Sequence, residues 1–207
     1  MLSCDTSPNL VFLPGASGST EFWQPVQQFL SDKYSSNIIS YPEFGGWPSY
    51  PGVNSFESLQ EYVLDQLEAS NIVIAQSMGG IFAVQAVLQK PEKVKALVLV
   101  ATSGGIDLSQ FNVQDWRDEY KNTFQVPDWF VDYQNFLDER LCEIECPVLL
   151  IWGDNDPISP IPVGEYLHEK LVHSELAIIQ EGQHDLALKH AKNVSQLIRS
   201  FIEKLET

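Results

Sequence analysis

Six short apolar runs, each separated from the next by a longer polar or amphipathic stretch, set the narrowest limit on what this chain can fold into. They are "LVFL" (10–13), "NIISY" (37–41), "NIVIAQ" (71–76), "KALVLVA" (95–101), "PVLLIWG" (147–153) and "ELAIIQ" (175–180). Most are apolar at successive positions rather than at every second one, the pattern of parallel strands buried on both faces. Parallel neighbours need a crossover connection, and helical periodicity lies in the intervals. In residues 55–70, Phe56, Leu59, Tyr62, Val63 and Leu67 share one helical face, and in 190–205 Val194, Leu197, Ile198, Phe201 and Leu205 do the same. Further helices are expected over "MGGIFAVQAVLQ" and about 161–171. Strand–helix alternation predicts one layered α/β domain over residues 1–207, long enough to bury a good core.

Composition removes several functions from consideration. The net charge of −16 argues against nucleic acid, whose phosphates need a basic footprint, and against anionic membrane surfaces. The longest apolar runs are too short to span a bilayer, and "MLSCDTSPN" has neither the basic segment nor the apolar region of a secretory signal. Cys4, Cys142 and Cys146 are odd in number and match no zinc spacing. A cytoplasmic protein with reduced thiols and no metal is expected. No glycine-rich nucleotide fingerprint occurs, since "GASGST" lacks the lysine of a phosphate loop, so no cofactor is expected.

One interval departs from the alternation. Residues 106–144 hold no strand but contain eight of the chain's 23 aromatic residues between Phe111 and Phe136. A connection of this length normally carries helices of its own. It reads either as a lid over a site or as amphipathic helices packing their aromatics on the core.

The chemistry-bearing residues fall at strand ends. Ser77 stands where "NIVIAQ" gives way to a helix, flanked at two positions on either side by the small residues Ala75 and Gly79. A serine hydroxyl needs a base to take its proton and a carboxylate to orient that base. "PVLLIWGDNDPISP" runs a strand into Asp154 and Asp156, and "ELAIIQEGQHD" runs another into His184. In an open parallel sheet, the carboxyl ends of the strands share one edge, which brings these loops together. The bland alternatives are a polar turn capping a helix at 153–156 and a small residue required by packing at 77. His168, His173 and His190 sit at or on helices and are expected to be solvated or capping.

Serine, then aspartate, then histidine, each after its own strand, is the chain order of the α/β-hydrolases, and four motifs resemble that superfamily. "LVFLPGASG" is similar to its oxyanion-loop strand, with Pro14-Gly15 for His-Gly. "AQSMGG" is similar to its nucleophile elbow in the Ala-x-Ser-x-Gly form of small bacterial lipases, "IWGDNDPISP" to its Gly-x-x-Asp turn, and "EGQHDLAL" to its Gly-x-His loop. The resemblance implies a three-layer α/β/α hydrolase fold of about six mostly or all parallel strands, in the order 4-3-5-6-7-8 of the family's naming. The family's two leading strands are missing, and a short helical lid is implied at about 106–144. By the same resemblance Ser77 is the nucleophile, His184 the base and Asp156 the orienting acid, ahead of Asp154 and Asp107. The backbone N–H groups of Ala16 and Met78 would form the oxyanion hole. Candidate pocket residues are Trp47 and Tyr50 in the loop after the second strand, with Trp116, Phe124, Trp129 and Phe130 in the insertion.

Three functions follow from this reading. The first is hydrolysis of a small or medium carboxylic ester or thioester, the partner being a small-molecule acyl substrate. A second keeps the triad but changes the bond broken, as in carbon–carbon bond hydrolases, perhydrolases or lyases. A third is a binding protein that retains the fold without the chemistry.

Overall fold

The computed structural model describes residues 8–68, 71–123, 127–134 and 136–207. Its centre is a sheet of six strands: β1 (Leu10–Leu13), β2 (Ser36–Ile38), β3 (Asn71–Gln76), β4 (Val94–Val100), β5 (Val148–Gly153) and β6 (Ser174–Ile179). All neighbours are parallel and the order is β2-β1-β3-β4-β5-β6. The sheet is therefore all-parallel, as the resemblance implied. From β1 the chain steps to β2 on one side, then returns to place β3 on the other. The crevice at the carboxyl ends of β1 and β3 is thus a topological switch point, where open α/β sheets bind ligands.

Successive side chains of each strand enter opposite layers. Leu13, Ala75, Leu99 and Leu150 join a core with α2 (Phe56–Asp65), α3 (Gly79–Gln89) and α6 (Ile161–Lys170). Phe12, Ile74, Val98 and Ile151 join a second core with α1 (Gln24–Leu30), the short α7 (Leu186–Lys189) and α8 (Ala191–Leu205). The helical faces read from the sequence lie inward. Val194, Ile198 and Phe201 of α8 are buried, as are Phe56, Leu59 and Val63 of α2. Ser55 starts α2 by accepting from the Ser58 N–H while the Ser58 hydroxyl accepts from the Ser55 N–H, a reciprocal cap. α3 is buried around most of its circumference and carries no charge, as a helix enclosed between layers must be.

Boundaries differ where the sheet ends. β2 spans only three residues instead of the five expected over 37–41, because after Ile38 the chain turns into the loop that carries Tyr41. As an edge strand, β6 is only partly covered, and Ile178 is exposed. In the insertion, α4 (Arg117–Thr123), α5 (Asp128–Val131) and a 3₁₀ turn (Asp138–Glu143) follow one another with no strand among the described residues. Phe130, Leu137 and Leu141 are buried in the α3-side core, while the Tyr133 ring stacks on Phe56 with centroids 3.5 Å apart. No helix among the described residues is long and apolar enough to cross a membrane.

Candidate active site

Ser77 occupies the turn between β3 and α3 with a left-handed backbone, φ 52°. For a non-glycine residue this conformation costs about 1–3 kcal/mol. Three hydrogen bonds oppose that strain. The Ser77 N–H donates to the Val100 carbonyl at 3.1 Å, and the Ser77 carbonyl accepts from the Gly80 N–H at 3.0 Å. It also accepts a close hydrogen bond from the Thr102 hydroxyl, which in turn accepts from the Gly104 N–H at 2.9 Å. At about 1 kcal/mol each, these bonds are of the size needed to hold the turn.

Packing explains the small residues around the serine. A Cβ on Gly79 would lie 2.3 Å from the Pro14 carbonyl oxygen, so only glycine lets α3 start this close to the β1 loop. Ala75 is fully buried and pairs in register with Leu13 of β1, and its methyl group fits there. The β1 loop also presses on the serine, since a Cβ on Gly15 would stand 3.2 Å from that of Ser77.

That loop is pinned from both sides. The Trp23 indole N–H donates to the Leu13 carbonyl at 3.0 Å, and the Tyr41 hydroxyl donates to the Pro14 carbonyl at 2.8 Å. Complete burial pushes the Tyr41 phenol well above its ordinary pKa. Past this anchor, the N–H of Ala16 donates to no acceptor among the described residues, and neither does that of Met78.

His184 and Asp156 meet the serine from the loops after β6 and β5. The His184 Nε2 lies 2.9 Å from Ser77 Oγ, and its Nδ1 lies 2.8 Å from Asp156 Oδ2. The other oxygen of Asp156, Oδ1, accepts from the N–H groups of Ile158 at 2.9 Å and Ser159 at 3.0 Å. A carboxylate has only lone pairs to offer, so the Nδ1 proton points at Asp156 and Nε2 is left to accept the serine proton. Gln76, buried beside the serine, donates its Nε2 to the His184 carbonyl at 3.3 Å and ties the histidine loop to β3. The arrangement can deprotonate a hydroxyl, orient the base that does so, and present unengaged N–H groups to a developing negative charge.

Two cavities border Ser77 and His184. One, of about 760 Å³, opens between the β1 loop and the loops of Asp156 and His184, with Phe22 and Tyr120 among its walls. The other, of about 540 Å³, runs beneath the insertion between Met78, Ile81, Ile106 and Phe111. Trp116 and Ile158 wall both. Burial raises the Tyr120 pKa, opposed by a hydrogen bond to the Ser17 hydroxyl of the β1 loop.

Ser77, Asp156 and His184 are thus brought into one hydrogen-bonded row, beside Ala16 and Met78. Asp154 borders the first cavity, but Asp156 is the carboxylate on His184. Asp107 borders the second cavity and bonds Ser109. Of the aromatic residues named from the sequence, Trp116 lines both cavities. Trp47 and Tyr50 do not: they are 46% and 55% exposed and line neither cavity, because their loop turns outward and Tyr50 packs on Tyr62. Phe130 is fully buried against Phe44, and Trp129 also packs on Phe44, so both brace the core and line neither cavity. Phe124 lies outside the described residues. Sequence reasoning missed Gln76, Thr102, Tyr41 and Tyr120. Gln76 alone left a trace, as the polar residue ending an apolar run.

Comparison with known proteins agrees with this fold. A family model described as "alpha/beta hydrolase fold" matches residues 8–134, and one described as "TAP-like protein" matches 116–207. The chain is 24% identical to the 2-hydroxy-6-oxononadienedioate/2-hydroxy-6-oxononatrienedioate hydrolase of Escherichia coli, over 92% of this chain and 84% of that one. It is also 24% identical to the pimeloyl-[acyl-carrier protein] methyl ester esterase of Neisseria meningitidis, over 80% of this chain and 82% of that one. A thermophilic esterase structure from Thermogutta terrifontis superposes with a TM-score of 0.81 at 16% identity, covering 98% of this chain and 92% of that one. At that identity the likeness is one of fold.

Proposed function

The chain belongs to the α/β-hydrolase family, and from that premise we propose that it is a serine hydrolase cleaving a small or medium carboxylic ester or thioester through an acyl-enzyme on Ser77. The observation that carries the proposal is the row Ser77 Oγ, His184 Nε2, His184 Nδ1 and Asp156 Oδ2, joined by contacts of 2.9 and 2.8 Å. Ser77 Oγ attacks the acyl carbon while His184 Nε2 takes its proton. The carbonyl oxygen becomes an oxyanion and accepts from the N–H groups of Ala16 and Met78. Collapse breaks the bond to the alcohol or thiol, which leaves with the proton from His184. Water then gives a proton to His184 and attacks the acyl-enzyme, releasing the acid and restoring Ser77. Residues 106–144 act as a lid in this reading, supported by the walls that Trp116 and Phe111 contribute to the cavities.

The test is turnover of p-nitrophenyl acetate and butyrate by pure protein beside Ser77→Ala. Loss of at least about a thousandfold in kcat is expected, and equal rates in the two proteins would sink the assignment of Ser77.

A second reading keeps the residues and changes the bond. The Escherichia coli relative is named as a hydrolase of a 2-hydroxy-6-oxo dienedioate, which favours a trial of carbon–carbon cleavage. Clear cleavage of a β-diketone or vinylogous diketone, with no action on esters, would decide for it.

A further inference from the structure

Resting on the hydrolase reading above, we propose that the site takes uncharged acyl substrates and rejects those carried on a phosphate-bearing or otherwise polyanionic group. Among the described residues, no lysine or arginine lines the first cavity, while Asp154 and Asp185 add carboxylates beyond Asp156. Lys189, one helical turn from Asp185, is held by it at 3.0 Å. In the second cavity, Asp107 and Asp115 stand against Arg117. The Arg117 guanidinium bonds Asp115 at 3.3 Å and the Val131 carbonyl at 3.2 Å.

The insertion over the site repeats this pattern. Residues 106–144 contain nine acidic residues and three basic ones. All three cations are in ion pairs within the segment: Arg117 with Asp115, Lys121 with Asp132 at 2.7 Å, and Arg140 with Glu143 at 2.9 Å. Lys90 and Lys93 just precede β4 and Lys95 is its second residue, at the amino ends of the strands and so away from the site. Binding phosphates calls for preorganised arginine or lysine donors. Here a polyanion would have to break an existing pair, against the field of a chain of net charge −16. An uncharged substrate meets neither obstacle.

The experiment compares butyryl-CoA with S-butyryl-N-acetylcysteamine, which present the same acyl group on the same kind of thiol and differ in the phosphates and nucleotide. At about 20 mM salt, kcat/KM should favour the neutral thioester by about tenfold or more, and at about 0.5 M salt the gap should narrow to about threefold or less. Asp154→Lys should raise the ratio of kcat/KM for butyryl-CoA to that for the neutral thioester about threefold at low salt, and an unchanged ratio would overturn the proposal. Equal rates at low salt, or a gap that salt does not move, would overturn the proposal, the second outcome assigning discrimination to size. Binding to Ser77→Ala, followed by calorimetry, separates the two readings. If no ester or thioester is cleaved, the hydrolase reading fails. Tighter binding of butyryl-CoA than of the neutral analogue then overturns the charge reading, and the reverse order supports it.

Discussion

Gly79 lies directly against Pro14: a Cβ on the glycine would fall 2.3 Å from the Pro14 carbonyl oxygen and 2.9 Å from that of Leu13. The first turn of α3 and the β1 loop are thereby fitted backbone to backbone, with Ser77 and Ala16 on either side. Gly79→Ala should cost about 1–3 kcal/mol of stability through overpacking and lower kcat by separating the two loops. Ala75→Gly creates no clash and should cost about 0.5–1 kcal/mol, with activity kept within about threefold. Urea midpoints and ester turnover of both variants test the contrast, and equal losses would mean that the turn is not packed in this way.

Thr102 is expected to act on the serine through its backbone. Thr102→Val removes the hydroxyl that bonds the Ser77 carbonyl and the Gly104 N–H while keeping the shape of the side chain. Leaving the buried Gly104 N–H unmatched, with the Ser77 carbonyl bonded by the Gly80 N–H alone, should cost about 1–3 kcal/mol. The predicted signature is a fall in kcat with KM nearly unchanged, together with a lower melting temperature. A normal kcat in a destabilised protein would limit Thr102 to structure.

The two aspartates after β5 should separate cleanly. Asp156→Asn replaces the acceptor on His184 Nδ1 and favours the wrong tautomer, for which a loss of about 10⁴ in kcat is the expected scale. Asp154→Asn should leave turnover of a neutral ester within about twofold, since Asp154 touches neither Ser77 nor His184. Comparable losses in the two variants would point to Asp154 as a second orienting acid.

Alkali gives a test of the anchor under the β1 loop. Burial raises the pKa of Tyr41 and of Tyr120. A group whose folded pKa lies above its unfolded value contributes stability that is intact below the unfolded value, near about 10 for tyrosine. That contribution is lost as pH rises from there toward the folded value, at up to about 1.4 kcal/mol per pH unit and per group. Denaturant unfolding between about pH 9 and 11.5 should therefore show falling stability, with a shallower slope in Tyr41→Phe. An unchanged slope would place the alkaline loss elsewhere.

The fold was legible in the sequence because a parallel strand buried on both faces leaves an unbroken apolar run, as in "NIVIAQ" and "VLLIWG". Ser77, Asp156 and His184 were legible for a related reason: each follows such a run, and parallel strands present their ends on one side. Trp47, Tyr50, Trp129 and Phe130 resisted reading because an aromatic side chain is equally suited to a core, a pocket wall or a surface loop. Only the path of the insertion and of the loop after β2 decides among these. Tyr41 and Thr102 were out of reach altogether. Their effect lies in a single hydroxyl meeting a backbone carbonyl contributed by another loop.

β6 borders only one strand and is partly open to solvent, yet it leads directly into His184. Fraying at that margin would withdraw the imidazole while β1, β3 and β4 still hold Ser77 in its strained turn. Heat inactivation should accordingly begin below the global melting transition and reverse on cooling. Ser77 would then lose its imidazole partner while its own turn still holds, and hydrogen exchange at Leu176–Ile179 should rise over the same temperature interval as activity falls.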